Sequence, residues 1–288
     1  MSAITHSAIR VISLTILAAL AGCAAPGPSG TLALSTQRIA QVVASPDRSP
    51  ADRTNDQRRK PEQMLAFIGA RPGMVALDLS AGGGYTSELL ARAVGPQGAV
   101  YGQSQPRNPS QPPPLAPEGG TRPPPPAAAM PATPPRTSAM ALAERDQKLR
   151  SANVPAARIT PVERRFDDPV PPELADGKVD LVTLMFNYHD LGHLGVDRAK
   201  MNAAVFRALK RGGIYVIGDH AGRPGTGISE SGTLHRIEEA FLRKEVEAAG
   251  FRLAGEGTFL RNPNDPRDKN NPDPPQPKDD FLMKFVKP

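Results

Sequence analysis

Four of the five histidines in this 288-residue sequence lie in one stretch that begins at His189 and ends at His235. His189 and His220 each directly follow a predicted buried strand. Because the carboxyl ends of parallel strands meet at one edge of a sheet, we expect these two imidazoles to face the same crevice. An imidazole is the side chain best suited to move protons near neutral pH. A neighbouring carboxylate, Asp190 or Asp219, would fix its tautomer.

His235 is a third candidate base. The sequence predicts a helix from Thr233 to Ala249, in which His235, Glu238 and Glu239 would share one face at spacings of three and four residues. Each histidine taken singly also has a structural interpretation, as a buried residue with its hydrogen bonds satisfied. Clustering at the mouth of a sheet favours the functional interpretation.

A metal site is a further alternative for the same side chains. His189, His220 and His235 with one carboxylate could bind zinc or iron. Cys23 is the only cysteine, which excludes a disulfide and a cysteine-ligated metal site. We assign no metal to the site from the sequence and keep a metal-dependent enzyme as the least favoured hypothesis.

A glycine-rich turn is the second feature of the sequence that could form part of a functional site. Residues 75–79 form an apolar run with one acid, Asp78, as in a strand buried on both faces. Ser80 to Gly84 is a turn of small residues, and apolar positions then recur at helical spacing from Tyr85 onward. Small residues let a ligand approach the backbone, and free N–H groups at a helix start favour a polar ligand. A tight turn that binds nothing is the alternative.

Strands alternate with helices along the chain, which predicts an α/β fold with a doubly wound, mostly parallel sheet. The segment Asp78-Leu-Ser-Ala-Gly-Gly-Gly84 resembles the nucleotide-binding loop of class I S-adenosylmethionine (SAM)-dependent methyltransferases, with Ser80 at the first glycine position. Residues 209–217 resemble that family's turn before the fifth strand, and residues 247–251 resemble its closing helix. The resemblance covers residues 57–288 and implies a Rossmann-like, seven-stranded sheet whose last strand is antiparallel.

The same resemblance implies SAM as cofactor, an unidentified small-molecule acceptor and a histidine that assists proton removal. Gln103 stands where the family usually has an acid for the ribose hydroxyls, and Asp167 or Asp168 stands near the expected adenine position. The expected catalytic residues are His189, His220, His235 and Asp190. The expected cofactor-binding residues are Asp78, Ser80, Ala81, Gly82, Gly84, Gln103, Asp167, Asp168 and Asn187.

The N-terminus has the pattern of an export signal. Arg10 precedes an apolar run, residues 11–20, that is too short for a stable membrane span. Residues 20–23, Leu-Ala-Gly-Cys, resemble a bacterial lipobox, which implies a membrane anchor through lipid on Cys23 and a place in the cell envelope, on the periplasmic face. Residues 24–56 are interpreted as a tether with one short helix near Gln37–Val43.

Composition limits the remaining alternatives. A net charge of +6 comes from scattered Lys and Arg, with no basic block interleaved with aromatics, so we expect no nucleic-acid partner. Many of the 33 prolines fall in an insertion at 105–136 and a loop at 261–280, which predicts exposed, extended segments. No pattern indicates an oligomeric state.

The export signal conflicts with the cofactor. SAM is made in the cytosol, and its charges make passage through hydrocarbon costly. Together with Ser80 and Gln103, this conflict supports a second hypothesis, an envelope-anchored, non-catalytic binding module that retains the methyltransferase fold.

Overall fold

A computed structural model describes residues 33–106 and 136–288. The predicted signal peptide, the lipobox-like segment with Cys23 and nearly all of the proline-rich insertion lie outside these residues. Within the described ranges, no helix has the length and apolar character needed to cross a membrane.

Seven strands form one sheet in the order β3-β2-β1-β4-β5-β7-β6. Strands β1 to β5 are mutually parallel, and β7 runs antiparallel to both β5 and β6. The predicted fold class is therefore confirmed. The strands are β1 (Val75–Leu79), β2 (Ala99–Ser104), β3 (Arg158–Glu163), β4 (Val179–Met185), β5 (Leu209–His220), β6 (Arg252–Gly257) and β7 (Asp280–Val286).

Helices cover both faces of this sheet and bury both sides of its central strands. On β1, Leu77 and Leu79 join one core cluster while Ala76 joins the other, as expected for a strand buried on both faces. The helices are α1 (Thr36–Ala44), α2 (Pro50–Arg59), α3 (Pro61–Ile68), α4 (Tyr85–Val94), α5 (Ser138–Ser151), α6 (Asp190–His193), α7 (Arg198–Ala208) and α8 (Glu239–Ala248), with a short 3₁₀ turn at Pro172–Leu174.

The folded domain begins well before residue 57. The short helix predicted near Gln37–Val43 is present as α1, but the residues from 36 onward are packed as part of the domain and do not form a tether. Helix α1 places Ile39 and Val42 in the core. Helix α2 has almost no apolar side chain, and it is fastened by ion pairs instead, including Asp52 with Arg145. A hydrophobic pattern could not reveal such a helix, because ionic contacts between distant residues leave no periodic signal in the sequence.

The helix predicted over Thr233–Ala249 begins only at Glu239. Ile237 pairs its backbone with His220 and Gly222, which extends the edge of β5 and holds the preceding residues out of a helix. His235 has a left-handed φ of 51° in the turn before this contact. The shared helical face of His235, Glu238 and Glu239 therefore does not exist.

Candidate functional site

The glycine-rich turn lies where expected, between β1 and α4. Ser80, Gly82 and Gly84 all have left-handed φ values, of 55°, 53° and 79°. Glycine adopts this conformation readily, whereas a serine there costs about 1–2 kcal/mol. The turn therefore keeps the conformation of a glycine loop even though its first residue is serine.

Gln103, at the end of β2, holds this turn in place through a hydrogen bond. Its side chain is completely buried. The amide oxygen accepts from the Ser80 N–H at 3.0 Å, and the amide nitrogen donates to the Arg164 carbonyl at 2.6 Å. Both ends of the amide are thus engaged within the protein, so its placement does not suit the ribose contact expected of this position.

Asp78 also supports the turn from within the fold. It is buried and accepts hydrogen bonds from Ser87 at 2.6 Å and Thr183 at 2.7 Å. Burial raises the pKa of its carboxyl group to about 6, although the two hydroxyl groups act in the opposite direction. The contacts make Asp78 a brace between β1, β4 and α4.

Asp167 and Asp168 lie on the loop after β3 and pair within it. Asp167 contacts Arg165 at 2.9 Å, and Asp168 contacts Arg164. Arg165 lowers the pKa of Asp167. The structure gives neither aspartate a contact with the glycine turn, so the expected adenine contact remains a prediction.

Asn187 connects the glycine turn to the histidines. The Ser80 hydroxyl donates to Oδ1 of Asn187 at 2.8 Å, and Nδ2 of Asn187 donates to Oδ2 of Asp190 at 2.8 Å. The other oxygen of Asp190 lies 2.8 Å from Nδ1 of His235. The two groups of residues singled out in the sequence therefore meet at one edge of the sheet.

Four histidines form a continuous row, which we call the histidine row: His220, His189, His235 and His193. Successive ring centres are 5.4, 5.6 and 5.7 Å apart. Carboxylates flank the buried end of the row. Nδ1 of His220 lies 2.6 Å from Asp280, and Nδ1 of His189 lies 2.6 Å from Asp219.

His189 is the most constrained member of the row. Its side chain is 1% exposed and lies between Asp219 and Asp190. Burial opposes the charged form, but the two carboxylates outweigh burial and raise the pKa of His189 to about 10. Although burial acts the other way, His189 and His235 lower the pKa of Asp190. His189 is therefore an imidazolium at neutral pH, which does not suit a general base, whereas His235, 22% exposed, is accessible.

Arg59 and Phe186 belong to the same region and were missed in the sequence. The Arg59 guanidinium lies 3.8 Å from the centre of the Phe186 ring, and the His220 ring centre lies 5.5 Å from it. Burial, with a smaller contribution from Arg58, lowers the pKa of Arg59 to about 9, although part of the side chain remains exposed. Phe186 has a φ of 60°, a strained conformation common at functional sites.

One sequence signal could have located more of this cluster. His189 and His193 are four residues apart, a spacing typical of paired metal ligands on one helical turn. Arg59 gave no signal, because α2 is polar throughout. Asp280 follows His220 by sixty residues, and only the pairing of β5 with β7 brings them together.

A small cavity lies beside helix α4, which follows the glycine turn. It lies between α3, α4 and Phe186 and holds about 10 Å³, close to the space that one water molecule needs. Small-molecule sites usually measure about 300–1,000 Å³. This cavity is therefore too small for a nucleoside-sized ligand.

No protein-family model matches the sequence, and no curated protein does. A solved SAM-dependent methyltransferase from Aquifex aeolicus matches 88% of this chain and 100% of its own, with a TM-score of 0.52 and 16% identity. An arsenic(III) S-adenosylmethionine methyltransferase from Chlamydomonas reinhardtii matches 75% of this chain and 64% of its own, with a TM-score of 0.47 and 16% identity. A TehB-like SAM-dependent methyltransferase from Corynebacterium glutamicum matches 83% and 100%, with a TM-score of 0.43 and 17% identity. The strand order and the first of these similarities show that this chain has the fold of the SAM-dependent methyltransferases.

Proposed function

We propose that this protein is a SAM-dependent methyltransferase that acts on a small-molecule acceptor. One observation carries the proposal: the glycine turn and the histidine row share one edge of the sheet and are joined through Asn187. Parallel α/β sheets bind their ligands at this edge. A donor site and a proton-accepting site would then lie side by side.

The backbone of Ser80, Ala81, Gly82 and Gly84 is the part of this chain that would hold the cofactor. SAM, when bound, supplies a methyl group attached to a positively charged sulfur. The protein's task is to align an acceptor and to take up the proton that the acceptor loses. The missing acid at Gln103 means that the ribose must be held by other groups.

Within the histidine row, His235 is the group we assign to proton uptake. Its Nδ1 faces Asp190 at 2.8 Å, which leaves Nε2 as the acceptor of a neutral imidazole. His189 already carries its proton at neutral pH. Asp190, which contacts both rings, would stabilise the charge that His235 gains.

Donor binding tests the proposal directly. Calorimetry of SAM with the full chain should show one site. Gly82→Ala should weaken it at least tenfold, because a methyl group would intrude where the ligand approaches the backbone. Gly73→Ala is the matched control, since Gly73 has the same left-handed strain and nothing within 4 Å of an added Cβ. Absence of heat and of a thermal shift at millimolar SAM would refute donor binding.

Proton uptake needs a separate measurement. Transfer of labelled methyl from SAM to a small-molecule extract should fall about 100-fold or more in His235→Gln, the range expected for loss of a general base. SAM affinity should stay unchanged in that variant. Equal transfer by wild type and His235→Gln would remove His235 from the mechanism.

A second candidate function is an envelope-anchored binding module without catalysis. The observation that favours it is the engagement of both ends of the Gln103 amide within the protein, which leaves the side chain unsuited to the ribose contact. It agrees with the lipid anchor that we propose at Cys23, which would hold the protein at the cell envelope. Mass spectrometry of ligand carried by the native protein, together with cell fractionation, separates the two functions: SAM in a cytosolic fraction supports the enzyme, and another ligand in a membrane fraction supports the module.

A further inference from the structure

One oxygen of Asp190 is the meeting point of three imidazoles. Its Oδ1 lies 3.1 Å from Nε2 of His189, 2.8 Å from Nδ1 of His235 and 3.8 Å from Nδ1 of His193. Nε2 of His189 is fully buried and makes no well-aligned hydrogen bond, despite its closeness to Asp190. A buried ring nitrogen pointing at a carboxylate and a second imidazole is an arrangement of metal ligands.

We infer that His189 Nε2, His235 Nδ1 and Asp190 Oδ1 bind a first-row divalent cation of the zinc type. These three atoms all lie within 4.8 Å of one another. Zinc bonds to histidine nitrogen and carboxylate oxygen are about 2.0–2.2 Å long, which places tetrahedral ligand atoms about 3.3 Å apart. Two of the three separations are already 2.8 and 3.1 Å, so only small side-chain rotations are needed.

The surrounding hydrogen bonds orient two of the three ligands. Asp219 holds Nδ1 of His189 at 2.6 Å and accepts from the His189 backbone N–H at 2.7 Å. Nε2 therefore faces the site, and a cation that binds there displaces the proton that Nε2 carries in the metal-free protein. Asn187 donates to Oδ2 of Asp190 at 2.8 Å and leaves Oδ1 turned toward the rings. A carboxylate behind a ligating histidine is the usual support of a zinc site.

The position of the ligands also indicates the kind of site. His189 closes the buried side of the site, whereas the side chain of His235 is 22% exposed and gives a path from solvent. Three protein ligands leave at least one position for water or substrate, as in catalytic rather than structural zinc sites. The inference does not depend on methyl transfer. A cation would use the lone pairs of His235 and Asp190, so the metal-loaded form and the proton-accepting form of His235 are alternatives.

Zinc titration of the chelator-treated full chain tests the inference. Calorimetry should give one site with a micromolar or tighter Kd, and Co²⁺ in place of zinc should give visible d–d absorption. His235→Gln and Asp190→Asn should each weaken binding at least 100-fold. His193→Gln is the matched control, because Nδ1 of His193 is 3.1 Å from Ser231 and outside the proposed ligand set; its Kd should change less than threefold.

Three results would overturn the inference: no zinc binding, binding that His235→Gln and Asp190→Asn leave unchanged, or an equal loss in His193→Gln. Circular dichroism of each variant establishes that it is folded, and the accessible His235→Gln carries the test if Asp190→Asn does not fold. SAM affinity measured on the same samples distinguishes failure of the metal site from failure of the methyltransferase proposal.

Discussion

The hydroxyl of Ser80 donates a 2.8 Å hydrogen bond to Oδ1 of Asn187, a residue 107 positions further along the chain. Strands β1 and β4 are neighbours, so the loops that follow them meet. A glycine in place of Ser80 would have no side chain to make this bond. The serine therefore links the glycine turn to Asp190 through Asn187, in exchange for some backbone strain.

We expect Asn187→Ala to lower the free energy of unfolding by about 1–3 kcal/mol, because two hydrogen bonds are lost and their partners stay partly buried. Ser80→Gly should change it by less than about 1 kcal/mol, since relief of left-handed strain offsets one lost bond. Urea unfolding measures both, with Asn264→Ala on an exposed loop as control. If Asn187→Ala leaves the free energy of unfolding unchanged, the two hydrogen bonds of Asn187 contribute little to stability.

His189 should make stability depend on alkaline pH. Its pKa is about 10 in the folded protein, against an ordinary value of 6.5. Because the folded pKa is the higher one, this contribution is fully present below pH 6.5 and is lost as the pH rises toward 10. The total loss is on the order of 5 kcal/mol.

Unfolding experiments at pH 6, 8 and 10 check the effect of His189. His189→Gln should be destabilised at pH 6, because it leaves Asp219 buried without its partner, and should lack the decline toward pH 10. His189→Gln with Asp219→Asn should recover part of the lost stability. His193→Gln should keep the wild-type profile, and an alkaline decline that persists in His189→Gln would contradict the assignment.

Asp78 should make the stability of the protein depend on pH in the acidic range. Its pKa is about 6 when folded, compared with 3.8 ordinarily, so the folded state holds its proton more tightly. Stability should therefore fall as the pH rises from about 4 to 6, and Asp78→Asn should abolish this slope. Asp167, a half-buried residue whose pKa is lowered by Arg165, is the control, because Asp167→Asn leaves the slope in place.

Helix α2 should open more easily than the sheet beneath it. Asp52, whose side chain is 4% exposed, pairs with both terminal nitrogens of Arg145 at 2.7 and 2.8 Å. Burial opposes the charge of Asp52, but Arg145 prevails and lowers its pKa. Asp52→Asn should raise amide hydrogen exchange in residues 50–59 at least tenfold, because little apolar packing holds α2.

In Asp52→Asn, the backbone amides of the sheet should keep their wild-type exchange rates. Asp167→Asn should change the exchange rates of neither α2 nor the sheet. If exchange rises equally in α2 and in β1, the helix does not move independently of the domain. High salt should act in the same direction as Asp52→Asn, since it screens the partly exposed pairs.

The local hydrophobic pattern of the sequence was sufficient to predict the fold class. The apolar runs of β1, β4 and β5, the glycine turn and the final strands joined without a helix all lie within short windows, and they predicted the sheet that is observed. The pattern failed for α2, which is polar, and for the start of α8, where the backbone of Ile237 pairs with the edge of β5. Both failures come from contacts between residues far apart in sequence.

The sequence by itself determined the class of fold, the place of the glycine turn and the meeting of His189 with His220, because chain order and strand direction fix which loops share an edge. Only the tertiary structure decided what each side chain does there. In the folded chain, both ends of the Gln103 amide are hydrogen-bonded within the protein, and Asp280 contacts His220. Three imidazoles lie around one oxygen of Asp190. Partner choice and protonation depend on burial and on distances between remote residues, and these exist only once the chain has folded.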